Sequence, residues 1–384
     1  MKIALAHKRL DLGGGTERDF YRTAEGLRDL GHEVHLFCGE FRVPSPPGTQ
    51  AHRLPHWPLG RTARLLSFAL LGPKAIRAHR CDVVVGFGRM VSQDILRCGG
   101  GSHRVFLQKM ALGEGRLRRL WHQVSLYHRS LLAVEAVQFH PGSFKKILAV
   151  SQEVKREIMR AYEVPGEKIK VVYNGVDHEH FHPRHRLHSR ERIRRQWGIP
   201  AEAALALFVG SGFQRKGLDR LLRVWGSPRL RGIYLLVVGE DAQRGRYSSW
   251  AEREARGRVI FAGRRGDVEN YYGAADLLVL VSLQEAFGNV ILEALASGLP
   301  VVTTRAVGAA ELLTGELQQG ILACPDDPAE IENRILWMLD RSRWPYLAEL
   351  ARKIGERYSW ENHFGELENY LLEVAQQKRR AISS

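Results

Sequence analysis

The chain has 384 residues, with 57 Lys and Arg against 42 Asp and Glu and a formal charge of +15. That length predicts two domains, each with its own core, and the absence of any apolar run of eighteen residues excludes a membrane-spanning helix. The N-terminal MKIALAHKRLD reads as a strand followed by charges, not as a secretory signal. Cys38, Cys81, Cys98 and Cys324 form no close pairs, which predicts reduced thiols in a cytosolic protein.

In chain order, apolar runs predict strands at 2–6, 33–37, 82–86, 147–150 and 170–173, with helices near 18–30 and 152–162. The Arg- and His-rich stretch 178–200 breaks the pattern and reads as a linker. Strands then follow at 204–209, 234–238, 259–261, 277–281, 301–303 and near 321, and a last helix covers roughly 361–376. This alternation predicts an α/β fold of parallel sheets covered on both faces. The domains are therefore 1–177 and 201–359, with the linker 178–200 between them and a terminal helix in 360–384. Ligands of such sheets bind at the carboxyl ends of strands. The loops 13–15, 210–217, 239–240, 263–266 and 285–289 fall there. None fits G-x-G-x-x-G with a following acidic residue, which disfavours a dinucleotide oxidoreductase.

The most informative segment is 285–304, EAFGNVILEALASGLPVVTT. Glu285 and Glu293 stand eight apart around a Phe-Gly-Asn turn that opens a helix with Ile291, Leu292 and Leu295 on its buried face. Free N–H groups at a helix N-terminus favour a phosphate, while the two carboxylates can reach hydroxyls on either side of it. That is the outline of a sugar-nucleotide site.

This string resembles the Glu-x7-Glu signature of the retaining GT-B glycosyltransferases of family 4. The likeness extends to Gly13-Gly14-Gly15 after the first strand, to Arg215-Lys216-Gly217 after the strand 204–209, and to Asn174-Gly175-Val176-Asp177 with Phe181 and Pro183. Within the family, GGGTERDF at 13–20, VVGFGRM at 84–90 and GSGFQRKGLDR at 210–220 are most similar to the lipopolysaccharide core glucosyltransferases; 99–105 departs from their pattern. The resemblance implies two Rossmann-like doubly wound domains facing across a cleft, the first for the acceptor and the second for the donor. It also implies that the last helix crosses back to pack on the first domain.

Breaking a sugar–diphosphate bond leaves charge on the phosphate that a metal or fixed cations must stabilise. No Asp-x-Asp pair occurs, so no metal or other cofactor is expected, and Arg215 and Lys216 take that role. By resemblance, Glu285 takes the donor sugar's hydroxyls, Glu293 the ribose, and backbone near Arg264 the base. The donor also meets Gly14, Gly15, Gly212 and the stretch Ala286, Phe287, Gly288 and Asn289, with His103 a secondary candidate. Asp19 either faces the reacting sugar or is an exposed helical acid paired with Arg18 or Arg22. The departing phosphate takes the acceptor's proton in this family, so no separate nucleophile is implied. The donor implied is UDP-glucose and the acceptor a lipid-linked or lipopolysaccharide core saccharide.

Charge is uneven. Residues 1–180 carry a balance of +11 and the remainder +4, and between 41 and 134 fifteen basic residues oppose only Asp82, Asp94 and Glu114. Within that stretch, Leu117, Leu120, Trp121, Val124, Tyr127, Leu131 and Val134 recur at helical spacing beside Arg116, Arg118, Arg119 and Arg129. This pattern suits a helix lying on the anionic cytoplasmic face of the inner membrane, or one packed on the domain core. Net charge alone suggests nucleic acid, but no binding motif accompanies it. A GT-B epimerase or phosphorylase would share the architecture. His178, His180 and His182 alternate as metal ligands could, yet continue into solvent-type sequence and read as a solvated loop.

Overall fold

The computed structural model describes residues 1–113 and 125–383. The chain forms two compact units, one of Met1–Asn174 with the terminal helix from Trp360, the other of Gly175–Ser359. Each is built on a parallel sheet, in agreement with the α/β expectation.

In the first unit the strands are β1 (Lys2–Leu10), β2 (Glu33–Phe41), β3 (Gln50–Arg53), β4 (Val83–Gly86), β5 (Ile95–Cys98), β6 (Lys146–Ala149) and β7 (Ile169–Val171), ordered β3-β2-β1-β4-β5-β6-β7. Central β1 pairs Ile3 with Val34 on one side and with Val83 on the other. Both its faces are covered over residues 3–6, which read as a continuous apolar run. One core joins Ile3, Leu5, Phe20, Leu27 and Val85 to Leu367, Leu371 and Val374 of the terminal helix Trp360–Ser383. Gly26 is required at this contact, because a Cβ there would lie 2.3 Å from the Phe364 ring. The last helix thus packs on the first domain, as expected.

The second unit contains β8 (Ala204–Val209), β9 (Ile233–Val238), β10 (Val259–Gly263), β11 (Leu277–Leu280), β12 (Val301–Thr304) and β13 (Ile321–Leu322), ordered β10-β9-β8-β11-β12-β13. In both units the order reverses beside the first strand, which places a ligand crevice at the carboxyl ends of β1 and β8.

Three sequence readings change. The stretch expected as a linker contains a helix, His185–Gln196, that belongs to the second unit. Arg186, Arg190 and Arg194, spaced four apart on one face, all bond the Asp276 carboxylate at 2.6–2.8 Å. Its basic composition therefore serves a buried acid. Strands β3 and β5 are additional. The amphipathic run 116–134 lies partly outside the described residues; its described end enters the helix Leu126–Gln138, where Leu131 and Val134 are buried in the protein. Among the described residues, no helix is long and apolar enough to cross a membrane.

Candidate active site

After β8 the chain turns through Gly210, Gly212 and Gly217, all at positive φ, before the helix Leu218–Trp225 begins. A Cβ on Gly210 would strike the Lys216 side chain at 2.5 Å, and one on Gly217 would lie 2.1 Å from the Val281 carbonyl oxygen. Only glycine lets this loop fold so closely over Lys216, which is 8% exposed.

Arg215 and Lys216 converge on one atom. Arg215 Nη1 donates to Glu285 Oε2 at 2.6 Å, and Lys216 Nζ lies 3.2 Å from the same oxygen. Burial works to raise the Glu285 pKa, but the charges of Lys216 and Arg215, with their hydrogen bonds, outweigh it and hold the carboxyl below its usual range. The backbone around Glu285 is pinned to the next loop: Glu285 N–H donates to the Ala306 carbonyl at 3.0 Å and Ala309 N–H to the Phe287 carbonyl at 2.7 Å. Ala286 and Phe287 are thereby placed ahead of Gly288, whose φ of 91° turns the chain into the helix Asn289–Ala296. Glu293, in that helix, accepts a hydrogen bond from the buried Tyr272 hydroxyl at 2.8 Å. Arg264 is exposed on the loop after β10.

The first unit's glycine loop follows β1. Gly14 stands at the N-terminus of the helix Gly15–Asp29, and Gly13 N–H donates to Asp11 Oδ1 at 3.0 Å. Of the two readings of Asp19, that of an exposed acid paired with Arg18 or Arg22 does not hold. Asp19 is 4% exposed and accepts two bonds from Arg97 of β5, at 2.8 and 3.1 Å. Arg97 Nη2 also donates to Asn174 Oδ1 at 2.8 Å. His103 opens the helix His103–Gly113, its ring Nε2 3.1 Å from His128 Nδ1.

Residues 203–341 match the family described as Glycosyl transferases group 1, and residues 13–180 match Glycosyltransferase Family 4. Lipopolysaccharide glucosyltransferase WaaG of Escherichia coli K12 is 31% identical over 307 residues, covering 78% of this chain and 79% of WaaG. The chain belongs to the family 4 glycosyltransferases.

The crystal structure of WaaG, described as a glycosyltransferase involved in lipopolysaccharide biosynthesis, aligns over 96% of this chain and 99% of its own. Its TM-score is 0.78 and its identity 26%. The Anabaena protein HepE, solved in complex with UDP-glucose, shares the fold at 20% identity, covering 100% and 99% of the two chains with a TM-score of 0.69. The two parallel-sheet units are thus the Rossmann-like domains of a GT-B glycosyltransferase.

Two features of this family 4 chain escaped the sequence reading. Glu135, with no exposure, accepts from the His103 and Arg104 backbone N–H groups, from Arg89 Nη1 and from the Tyr162 hydroxyl, at 2.6–3.0 Å. The signal was a lone acid inside the apolar run LLAVEAV. The second is a group of three histidines, His35, His52 and His79, whose ring nitrogens lie within 4.8 Å of one another. His35 Nδ1 and His52 Nε2 share a 2.8 Å hydrogen bond and Glu33 meets His35 Nε2 at 2.8 Å, while the His79 ring packs against His52 with centroids 4.3 Å apart.

Proposed function

We propose that this glycosyltransferase is a retaining, metal-independent hexosyltransferase that moves glucose from UDP-glucose to a lipid-linked or lipopolysaccharide core saccharide. The observation that carries this reading is the convergence of Arg215 Nη1 and Lys216 Nζ on Glu285 Oε2 beside the helix Asn289–Ala296. An arriving diphosphate competes with Glu285 for the same two cations and, aided by the helix N–H groups, takes them over. The released carboxylate then accepts from the sugar's hydroxyls. As the bond from the anomeric carbon to the diphosphate oxygen breaks, the two cations hold the charge that develops there. The acceptor oxygen bonds the same carbon from the same face, and its proton passes to the leaving phosphate.

In this reading Glu293 takes the ribose and backbone at Arg264 the base, with Gly212 and Ala286–Asn289 of the same unit beside the donor; Gly14, Gly15 and His103 of the first unit are assigned to the donor by the family resemblance alone. Asp19 acts as a positioning residue through Arg97. The name of WaaG supports glucose and a lipopolysaccharide acceptor. A screen of nucleotide sugars by nucleotide release, with and without EDTA, followed by anomeric analysis of the product, tests the whole reading. Dependence on added metal or an inverted anomer would overturn it.

Within this reading the exposed basic side chains of the stretch 41–134 would hold the enzyme peripherally at an anionic inner-membrane surface, each contributing about 1 kcal/mol near it. Replacing Arg116, Arg118 and Arg119 together by Ser should abolish cosedimentation with anionic vesicles. Equal binding to neutral vesicles would remove the membrane role.

A further inference from the structure

The first unit contains a pocket of about 590 Å3 lined by its own residues alone, a size typical of small-ligand sites. Its wall carries eight Lys or Arg side chains against two carboxylates, Glu17 and Glu40. Some of those cations are already used. Arg42 bonds Glu40 at 2.8 Å, Arg89 bonds Glu135, Arg9 pairs with Asp11, and Arg97 pairs with Asp19. Lys8, Arg53, Arg61 and Arg64 have no carboxylate in ion-pair contact among the described residues. Arg61 lies over the Tyr127 ring at 4.0 Å, and Arg64 reaches only the Gly60 carbonyl, at 3.4 Å.

A second observation comes from beneath this surface. The Arg97 side chain is wholly buried, and its Nε and Nη2 are spent on Asp19 and Asn174. Its Nη1 is buried without a partner, although Arg97 forms part of the pocket wall. A charged donor left so is costly, and an anionic oxygen in the pocket would satisfy it. Phe68, Phe87, Leu65 and Tyr127 supply apolar wall between the cations, against which the C–H face of a sugar ring can lie. Cations around an apolar wall fit an anionic sugar better than a neutral one.

We propose that this pocket is the acceptor subsite and that it selects a saccharide carrying an anionic group, phosphate or carboxylate. This rests on the transferase reading above and narrows its acceptor. Arg53 and Arg64, one on β3 and one on the helix Gly60–Arg77, are exposed, so their replacement should leave folding intact.

The test is titration calorimetry of the full chain with glucose 6-phosphate, glucuronate and glucose as probes, together with UDP-glucose. Glucose 6-phosphate or glucuronate should bind and glucose should not; whichever anion binds tighter identifies phosphate or carboxylate as the group read. The Arg53→Gln/Arg64→Gln variant should weaken that binding by roughly ten- to hundredfold with UDP-glucose affinity unchanged. Equal affinity for glucose and glucose 6-phosphate, no binding of any sugar probe, or an unaffected variant would overturn the proposal. A variant that lost UDP-glucose instead would reassign the pocket to the donor. Failure of the transferase reading is seen separately, as wild-type protein that does not bind UDP-glucose or a Lys216→Ala variant that binds it normally.

Discussion

Asp19 and Arg97 form a two-bond pair inside the first unit, Nε to Oδ2 at 2.8 Å and Nη2 to Oδ1 at 3.1 Å, with both side chains almost completely buried. The planar guanidinium matches the carboxylate edge to edge. The pair ties the helix Gly15–Asp29 to β5, and Asn174 extends it to the end of the first chain segment of the unit. Asp19 therefore has a folding role before it has any other.

Removing one member of a buried pair leaves an uncompensated charge, at a cost of about 3–5 kcal/mol. Asp19→Ala should accordingly lower the denaturant midpoint strongly, and Asp19→Ala combined with Arg97→Met should recover part of the loss. Unchanged unfolding of the single variant would mean that the Asp19–Arg97 pair does not hold the fold.

For the donor site, Lys216→Ala and Glu285→Gln should each cost roughly a hundredfold or more in turnover, because preorganised charge at the leaving group is lost. Chelator should change nothing. Near-normal rates in folded variants would break the assignment of Arg215, Lys216 and Glu285 to the reaction.

The loop that holds Lys216 depends on close backbone approach. A Cβ on Gly239, at φ 148°, would lie 2.0 Å from the Gly210 carbonyl oxygen. Backbone strain of that kind costs about 1–3 kcal/mol before any clash is counted. Gly239→Ala should thus lower both stability and donor affinity. Gly232→Ala, with open space at its Cβ, is the matched control and should be nearly neutral in thermal unfolding.

Much of this was legible because parallel strands buried on both faces spell themselves as apolar runs, and β8, β9, β11 and β12 were found within a residue or so of their observed bounds. What stayed hidden had a charged or exposed residue in the pattern. Strand β5 reads Ile-Leu-Arg-Cys, and its Arg97 makes sense only once Asp19, 78 positions away in sequence, is beside it. Strand β3 is a four-residue edge, mostly exposed, with no apolar run to announce it. The Arg-rich helix His185–Gln196 looked solvated because its partner, Asp276, is remote in sequence. At the candidate site the residue types and the glycine spacing were readable, whereas the convergence of two cations on one oxygen required the fold.

His363 offers a test by pH. It is 4% exposed on the terminal helix, with Nδ1 2.6 Å from the Tyr173 carbonyl oxygen and Nε2 buried without a hydrogen-bond partner. Burial, reinforced by the Arg97 charge, pushes its pKa down to about 4. Nδ1–H donating to the carbonyl keeps the ring neutral in the folded chain. Above pH 6.5 neither state is protonated, and the group imposes no penalty. As pH falls from 6.5 toward 4 the unfolded chain takes up the proton first, so stability falls over that window, by about 3 kcal/mol at full extent. His363→Asn retains a donor for the Tyr173 carbonyl but does not titrate. Its unfolding free energy, measured by denaturant from pH 7 to 4, should decline less steeply than that of the wild type. Parallel pH dependence in the two proteins would mean that His363 is not buried neutral against Tyr173.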